Sequence, residues 1–317
     1  PLNIPFAAAL SNVKKKYPGK KVIGFHHDFY WERTIYNPTC LAAKKYLSRY
    51  FPPKNIDRHI TINSLAKRQL IKKKKIKSFI FQNYFDFSQI NPSKISNLRR
   101  ELKIAKDSVV FLHATRIVER KAIELAIDSL EKIKEELTRF SGKNLYNGKK
   151  ISKNTKVYLL FPGLIEEKNY YLKIKERLKN SPLKSIFCEK LCRRYSFWDF
   201  YHVADAVTYT SVKEGWGNQL IEALALKKPV LIFEYPVFRS DIKKFGFKLV
   251  SLGSRFYPAR KLRKVPASKI NKAAEKMLEI LANKKLYRQT TEHNYKIALK
   301  NLSIPALQKD IQHFFKI

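Results

Sequence analysis

Short apolar runs alternate with amphipathic stretches along most of this 317-residue chain, and that alternation sets the elements to expect. Toward the amino end, residues 21–25, 60–63 and 78–82 read as strands, with a basic helix over 65–74 between the second and third. The polar stretch 83–97 reads as a connection between domains. Beyond it the pattern sharpens. Strands are predicted at 108–113, 156–161, 185–188, 206–210 and 230–233, and helices at about 121–138, 166–180, 196–204 and 218–226. Residues 140–155 are polar and read as a surface excursion. The end of the chain, 268–317, is helical, with apolar spacing at Ile270, Ala274, Met277 and Leu281 and again at Leu307, Ile311 and Phe314.

A succession of β-α units of this kind predicts an α/β fold with a doubly wound, Rossmann-like parallel sheet. The length suits two modest domains or one large one. Apolar residues make up 44% of the chain and aromatics 13%, enough for a packed core. No apolar run approaches the roughly 20 residues that span a bilayer. The opening ten residues lack a basic leader and a cleavage site, so no signal peptide is expected. Three cysteines make no disulfide framework. Cys188 and Cys192 lie one helical turn apart, and no second cluster completes a metal site, so free thiols in a reducing cytosol and no metal are expected.

The charge changes the picture. Sixty-five Lys and Arg against 26 Asp and Glu leave +39. Nucleic acid and anionic lipid are the partners such a surface attracts. Solvated lysine faces in a lysine-biased genome are the third reading. The basic residues are scattered, and the densest run, Lys72 to Lys75, points all round a helix rather than along one face. No RNA-binding aromatic motif or zinc finger is visible. Genome bias with some peripheral membrane attraction is therefore expected, and a nucleic-acid role is not.

In open parallel sheets ligands bind beyond the carboxyl ends of the strands, so the turns there carry the candidate chemistry. After 108–113 the chain reads Ala-Thr-Arg116-Ile-Val-Glu-Arg-Lys121. A guanidinium, an ammonium and free helix N–H groups together can bind a diphosphate. After 206–210 it reads Ser-Val-Lys-Glu214-Gly215-Trp216-Gly217-Asn218-Gln-Leu-Ile-Glu222. Two glycines let the backbone approach a ligand, one carboxylate can accept both hydroxyls of a ribose, and a second can hold a hexose hydroxyl.

The segment from Glu214 to Glu222, followed by Ala-Leu-Ala-Leu-Lys-Lys-Pro-Val, resembles the E-x7-E segment of family 4 retaining glycosyltransferases of GT-B fold. Arg116 to Lys121 is similar to that family's Gly-Arg-Leu-x-x-x-Lys-Gly turn, and Tyr201 to Tyr209 to the helix and strand before its glutamate loop. Upstream, Ile60-Thr-Ile-Asn-Ser and Ile80-Phe-Gln-Asn83-Tyr-Phe-Asp86 resemble the end of its first domain. Val22-Ile-Gly-Phe-His26-His27-Asp28 resembles the strand whose terminal histidine faces the donor sugar. The resemblance implies two Rossmann-like domains facing a cleft. These are residues 1–90 as a partial, acceptor-side domain, 91–290 as the nucleotide-sugar-binding domain, and 291–317 as a helix crossing back.

It further implies a metal-independent hexosyltransferase that takes the sugar from a UDP- or GDP-linked donor and retains its anomeric configuration. The acceptor would be a hydroxyl of a sugar, a glycerate-like small molecule, a lipid or a glycan, and no cofactor beyond the donor is implied. Arg116 and Lys121 would bind the diphosphate, Glu222 the ribose and Glu214 the transferred sugar. Residues Gly215, Trp216, Gly217 and Asn218 would supply backbone donors, and His27, with His26 as the alternative, would contact the donor sugar. The expected place is the cytosol, with peripheral contact at the inner membrane surface. Three departures stand out. Thr115 and Ala122 replace the glycines flanking the phosphate turn, and Tyr235-Pro-Val-Phe replaces a glycine pair. The glycine-rich loop of the family's first domain is not matched. The alternative function is a non-catalytic basic protein on a degenerate transferase scaffold, recognising nucleic acid or anionic membrane.

Overall fold

The computed structural model describes residues 4–32, 38–90, 95–259 and 262–316. The chain divides into two compact units, residues 1–83 with 310–317, and residues 84–309.

In the first unit α1 (Ile4–Lys16) leads to β1 (Ile23–His26), α2 (Leu41–Tyr50), β2 (Arg58–Thr61), α3 (Ser64–Lys74) and β3 (Phe79–Ile80). The three strands form a parallel sheet in the order β1-β2-β3. β2 stops short of the expected 60–63 because Asn63 leaves the strand to cap α3, its side chain accepting from Ala66 N at 2.7 Å. Neither α1 nor α2 was foreseen. α2 buries only Leu47, so it offers no apolar stripe to read. A small core of Phe29, Ala66, Leu70 and Ile76 closes on Trp31 and Phe51. His26 and His59 are both buried beside it, 2.9 Å apart between Nε2 and Nδ1.

The second unit opens with α4 (Ile95–Glu101) and then alternates without a break. β4 (Ser108–Leu112), α5 (Ile123–Glu136), β5 (Lys156–Phe161), α6 (Lys168–Lys179), β6 (Lys184–Phe187), α7 (Phe197–Val203), β7 (Ala206–Tyr209), α8 (Asn218–Ala225) and β8 (Val230–Ile232) follow in turn. Then come β9 (Val250–Ser251), a hairpin of β10 (Tyr257–Ala259) and β11 (Leu262–Lys264), and α9 (Ala267–Leu281) and α10 (Lys284–Leu302). α11 (Ile304–Lys316) follows, and from residue 310 on it belongs to the first unit. Of its expected apolar positions only Phe314 is buried; it meets the edges of Phe79 and Phe81, and the Arg58 guanidinium donates to its carbonyl.

Six parallel strands in the order β6-β5-β4-β7-β8-β9 form the large sheet. Every residue of β4 is buried, as expected for a strand covered by helices on both faces. α5 and α9 cover one face through Ile123, Ile127 and Leu130 and through Ala274, Met277 and Leu281. The excursion at 140–155 is irregular but pinned. Leu145 and Ile151 enter the core, and the Tyr146 ring stacks on Tyr287 at 3.7 Å while its hydroxyl donates to Asp205 at 3.0 Å. The winding of the sheet reverses between β4 and β7, the place where an open α/β sheet leaves a crevice for a ligand.

The turn after β4 is strapped to the turn after β5. Ile117 N donates to Leu164 O at 2.8 Å, and Glu166 N and Glu167 N reach back to Ile117 O. Gly163 makes this approach possible, since a Cβ there would lie 1.9 Å from the Thr115 carbonyl oxygen. Backbone on both sides leaves no side chain to yield. Gly163→Ala is expected to destabilise the second unit by about 1–3 kcal/mol, the usual range for overpacking. Thermal unfolding measures it; an unchanged midpoint would show that the two turns are not held in this contact.

Candidate active site

The two turns at the switch point carry the groups that the sequence singled out. Lys121 sits in a short helical turn at Glu119–Lys121, one residue ahead of Ala122, which adopts a left-handed conformation (φ 45°, ψ 52°) before α5 begins. This is the position where glycine was expected, and alanine holds the same conformation against the strain that a Cβ imposes there. Thr210 Oγ1 approaches the carbonyls of Lys121 and Ala122 at 3.1 and 2.9 Å, and Val212 N donates to Arg120 O at 2.9 Å. The β4 and β7 turns are thus joined by one backbone bond and by the Thr210 hydroxyl.

Across that seam the Lys121 ammonium pairs with Glu214 Oε1, both side chains less than a tenth exposed. Arg120 Nη1 takes the other oxygen, Oε2, at 2.7 Å and donates to Lys213 O at 3.0 Å. Burial alone would push the Glu214 carboxyl up, but Lys121 and Arg120 outweigh it and hold it below the ordinary range. Burial, only partly offset by Glu214, pulls Lys121 down. His113, just past β4 and fully buried, feels the same ammonium. Burial first and the Lys121 charge second hold its imidazole down at about 3, and its Nδ1 lies 2.9 Å from Thr208 Oγ1.

Glu222 lies one turn into α8, where Tyr201 donates to its Oε2 at 2.7 Å. Burial raises this carboxyl above its ordinary 4.5 despite that bond and the Lys121 charge. Gly217 opens α8 at φ +135°, and a Cβ there would sit 2.2 Å from the Tyr235 hydroxyl. Tyr235, from the stretch replacing the expected glycine pair, is fully buried and donates to Trp216 O at 2.5 Å. The Trp216 indole N–H is buried and has no partner among the described residues. Gly215 is half-buried, and Asn218 is exposed at the start of α8.

The structure therefore brings Lys121, Glu214 and Glu222 together. Arg116 is near enough for its charge to help pull Lys121 down, but its bond runs elsewhere. Arg116 Nη1 pairs instead with Glu166 Oε2 at 2.7 Å, both side chains about half exposed. His27 lies just past β1 in the first unit, exposed and edge-on to Phe25 at 4.6 Å, whereas His26 points into that unit's interior. Three participants went unread. Arg120 and Glu166 looked like any other charges in a chain so rich in them, and the bond from Tyr201 to Glu222 spans 21 residues that no spacing rule connects. Cys40, Cys188 and Cys192 are free thiols. Among the described residues no helix is long and apolar enough to cross a membrane, and no cluster of three or more His, Cys, Asp or Glu could hold a metal.

Two predictions follow from these charges. Glu214→Gln leaves the Lys121 ammonium without its acid in a nearly closed space and is expected to cost about 3–5 kcal/mol. Arg116→Ala, which breaks an exposed pair, should cost no more than about 1 kcal/mol. Denaturant unfolding of both variants checks the contrast, and equal losses would contradict the burial described. For Glu222 the folded protein keeps its proton where the unfolded chain has released it, so this group's contribution falls as pH rises from 4.5 through its higher folded value. Unfolding of Glu222→Gln between about pH 4 and 8 should show that decline reduced relative to wild type; a parallel profile would place the carboxyl in solvent.

The family described as Glycosyl transferases group 1 matches this chain over residues 94–297. The mannosylglucosylglycerate synthase of Petrotoga mobilis is 46% identical over 276 residues, 83% of this chain and 64% of that protein. The enzyme of the same name from Thermotoga maritima is 40% identical over 306 residues, 95% of this chain and 70% of that protein. The chain thus spans about two thirds of the length of these relatives. Among solved structures, Anabaena Alr3699/HepE in complex with UDP and glucose superposes with a TM-score of 0.64 at 14% identity, covering 99% of this chain and 76% of that one. A glycosyltransferase from Rickettsia africae gives 0.63 at 14% identity, covering 99% and 80%.

Proposed function

Because the chain belongs to the Glycosyl transferases group 1 family, we propose that it binds a nucleoside diphosphate sugar at the turns after β4 and β7 and transfers the sugar to a hydroxyl acceptor. It has the GT-B fold. The observation that carries the proposal is the buried Lys121–Glu214 pair at the switch point of the large sheet, with Glu222 one turn further along α8. Two relatives named mannosylglucosylglycerate synthase point to mannose as the transferred sugar and a glucosylglycerate-type acceptor.

The residues divide the work by their chemistry. Lys121 and Arg116 neutralise the diphosphate and the charge that grows on it as the glycosidic bond breaks. Arg116 is available for this because an exposed ion pair such as that with Glu166 contributes only about 0–1 kcal/mol. Glu222 accepts the ribose hydroxyls, and Tyr201 fixes the rotamer in which it does so. Glu214 accepts a hydroxyl of the transferred sugar, and the backbone from Gly215 to Asn218 donates to sugar and phosphate. That the transfer proceeds without a metal and retains the anomeric configuration rests on the resemblance of the glutamate segment. For His27 a contact with the transferred sugar rests on the resemblance of the β1 segment.

Thermal shift with UDP, GDP and ADP tests the proposal. One diphosphate should stabilise the protein, and Glu222→Ala should weaken its binding roughly ten- to a hundredfold, the worth of a charged hydrogen bond or two. His27→Ala should leave that shift intact while lowering sugar transfer roughly a hundredfold. Equal stabilisation by all polyanions, untouched by Glu222→Ala, would mean that net charge rather than this site does the binding.

A further inference from the structure

The Glu214 carboxylate has two cations where one would neutralise it. Lys121 holds Oε1, and Arg120 holds Oε2 at 2.7 Å. The two cations differ in how they are fixed. Arg120 grips the glutamate loop twice through Nη1, at the Glu214 side chain and at the Lys213 carbonyl, and a third bond runs from Val212 N to its own carbonyl. Lys121 reaches Glu214 with one ammonium on a flexible four-carbon stem, passing 5.8 Å from the centre of the Tyr209 ring.

We infer that Arg120 is a positioning residue that holds Glu214 in place, leaving Lys121 able to exchange the carboxylate for the donor's diphosphate. The inference rests on the donor site proposed above. If Lys121 were the sole partner of Glu214, drawing its ammonium toward a phosphate would strand a carboxylate in a space less than a tenth exposed, and that penalty would be subtracted from donor affinity. With Arg120 on the second oxygen, the carboxylate stays paired and oriented toward the sugar while the ammonium moves. Three charges of net +1 become, with the diphosphate added, a set in which each anion keeps a cation. The guanidinium suits the fixed role, because its Nη1 donates to backbone carbonyl and carboxylate together and a planar group loses little freedom when it is held.

A double-mutant cycle on nucleoside diphosphate affinity tests this, read by calorimetry with UDP and GDP on wild type, Arg120→Gln, Glu214→Gln and the double variant. Arg120→Gln should weaken binding about tenfold in the wild-type background. It should change binding less than about twofold in the Glu214→Gln background, where no carboxylate is left to strand. Arg120→Lys, which keeps the charge but loses the planar group, should restore only part of the lost affinity. Additive losses would mean that Arg120 touches the donor itself, and would overturn the inference. A harmless Arg120→Gln, or an Arg120→Lys as weak as Arg120→Gln, would overturn it too. Binding by wild type in any of these cases leaves the donor site standing. No binding of either diphosphate by wild type would sink the donor site and this inference with it.

Discussion

A carboxylate and an ammonium confined in one nearly closed space impose the constraint on which the rest of this site depends. Taken out of water singly, the charge on Glu214 or on Lys121 would be expensive; together, with the Arg120 guanidinium on the remaining oxygen, they are tolerated. The pair has value only if two turns, 93 residues apart in sequence, meet within hydrogen-bond distance. The parallel sheet supplies that meeting. β4 and β7 are neighbours whose carboxyl ends emerge side by side, and the reversal of winding between them leaves the crevice open.

Placement by the sheet is coarse, and the finer positioning is done by backbone. The β4 turn is tied on one flank to the β5 turn through Ile117 and Gly163, and on the other to the β7 turn through Thr210 and Val212. A turn with both flanks fixed cannot relax to spread its charges. The departures from the family's glycine pattern fit this economy of motion. Ala122 takes the left-handed conformation that glycine would take, and Tyr235 fills the space beneath the glutamate loop and bonds to its backbone.

Much of this was legible in the sequence, for physical reasons that also explain the remainder. Strands buried on both faces write continuous apolar runs, so β4, β5, β7 and β8 were read nearly to the residue. Helices with a broad apolar stripe, such as α5 and α9, were equally plain. α2 and the hairpin of β10 and β11 bury too little to leave a pattern. At the site, Glu214 and Glu222 stood out because acids are scarce in this chain and glycines lay between them, and Lys121 with Arg116 because they follow a strand in a turn similar to the family's phosphate turn. Arg120 did not, since a second cation beside Lys121 carries no information in a chain with 65 of them. Nothing in the spacing told Arg116, which turns to Glu166, from Arg120, which turns inward.

The contact between Gly217 and Tyr235 carries a consequence for how such a site can diverge. The tyrosine hydroxyl occupies the volume that any side chain at position 217 would need. The two positions are therefore one heritable unit, in which the loop glycine is compulsory for as long as the tyrosine remains. A lineage that replaced Tyr235 by glycine would lose the bond to Trp216 and still need glycine at 217, because φ +135° strains any other residue there. The glycine is thus fixed twice over, by its own backbone angle and by the space the tyrosine takes, and losing one of these restraints leaves the other in force.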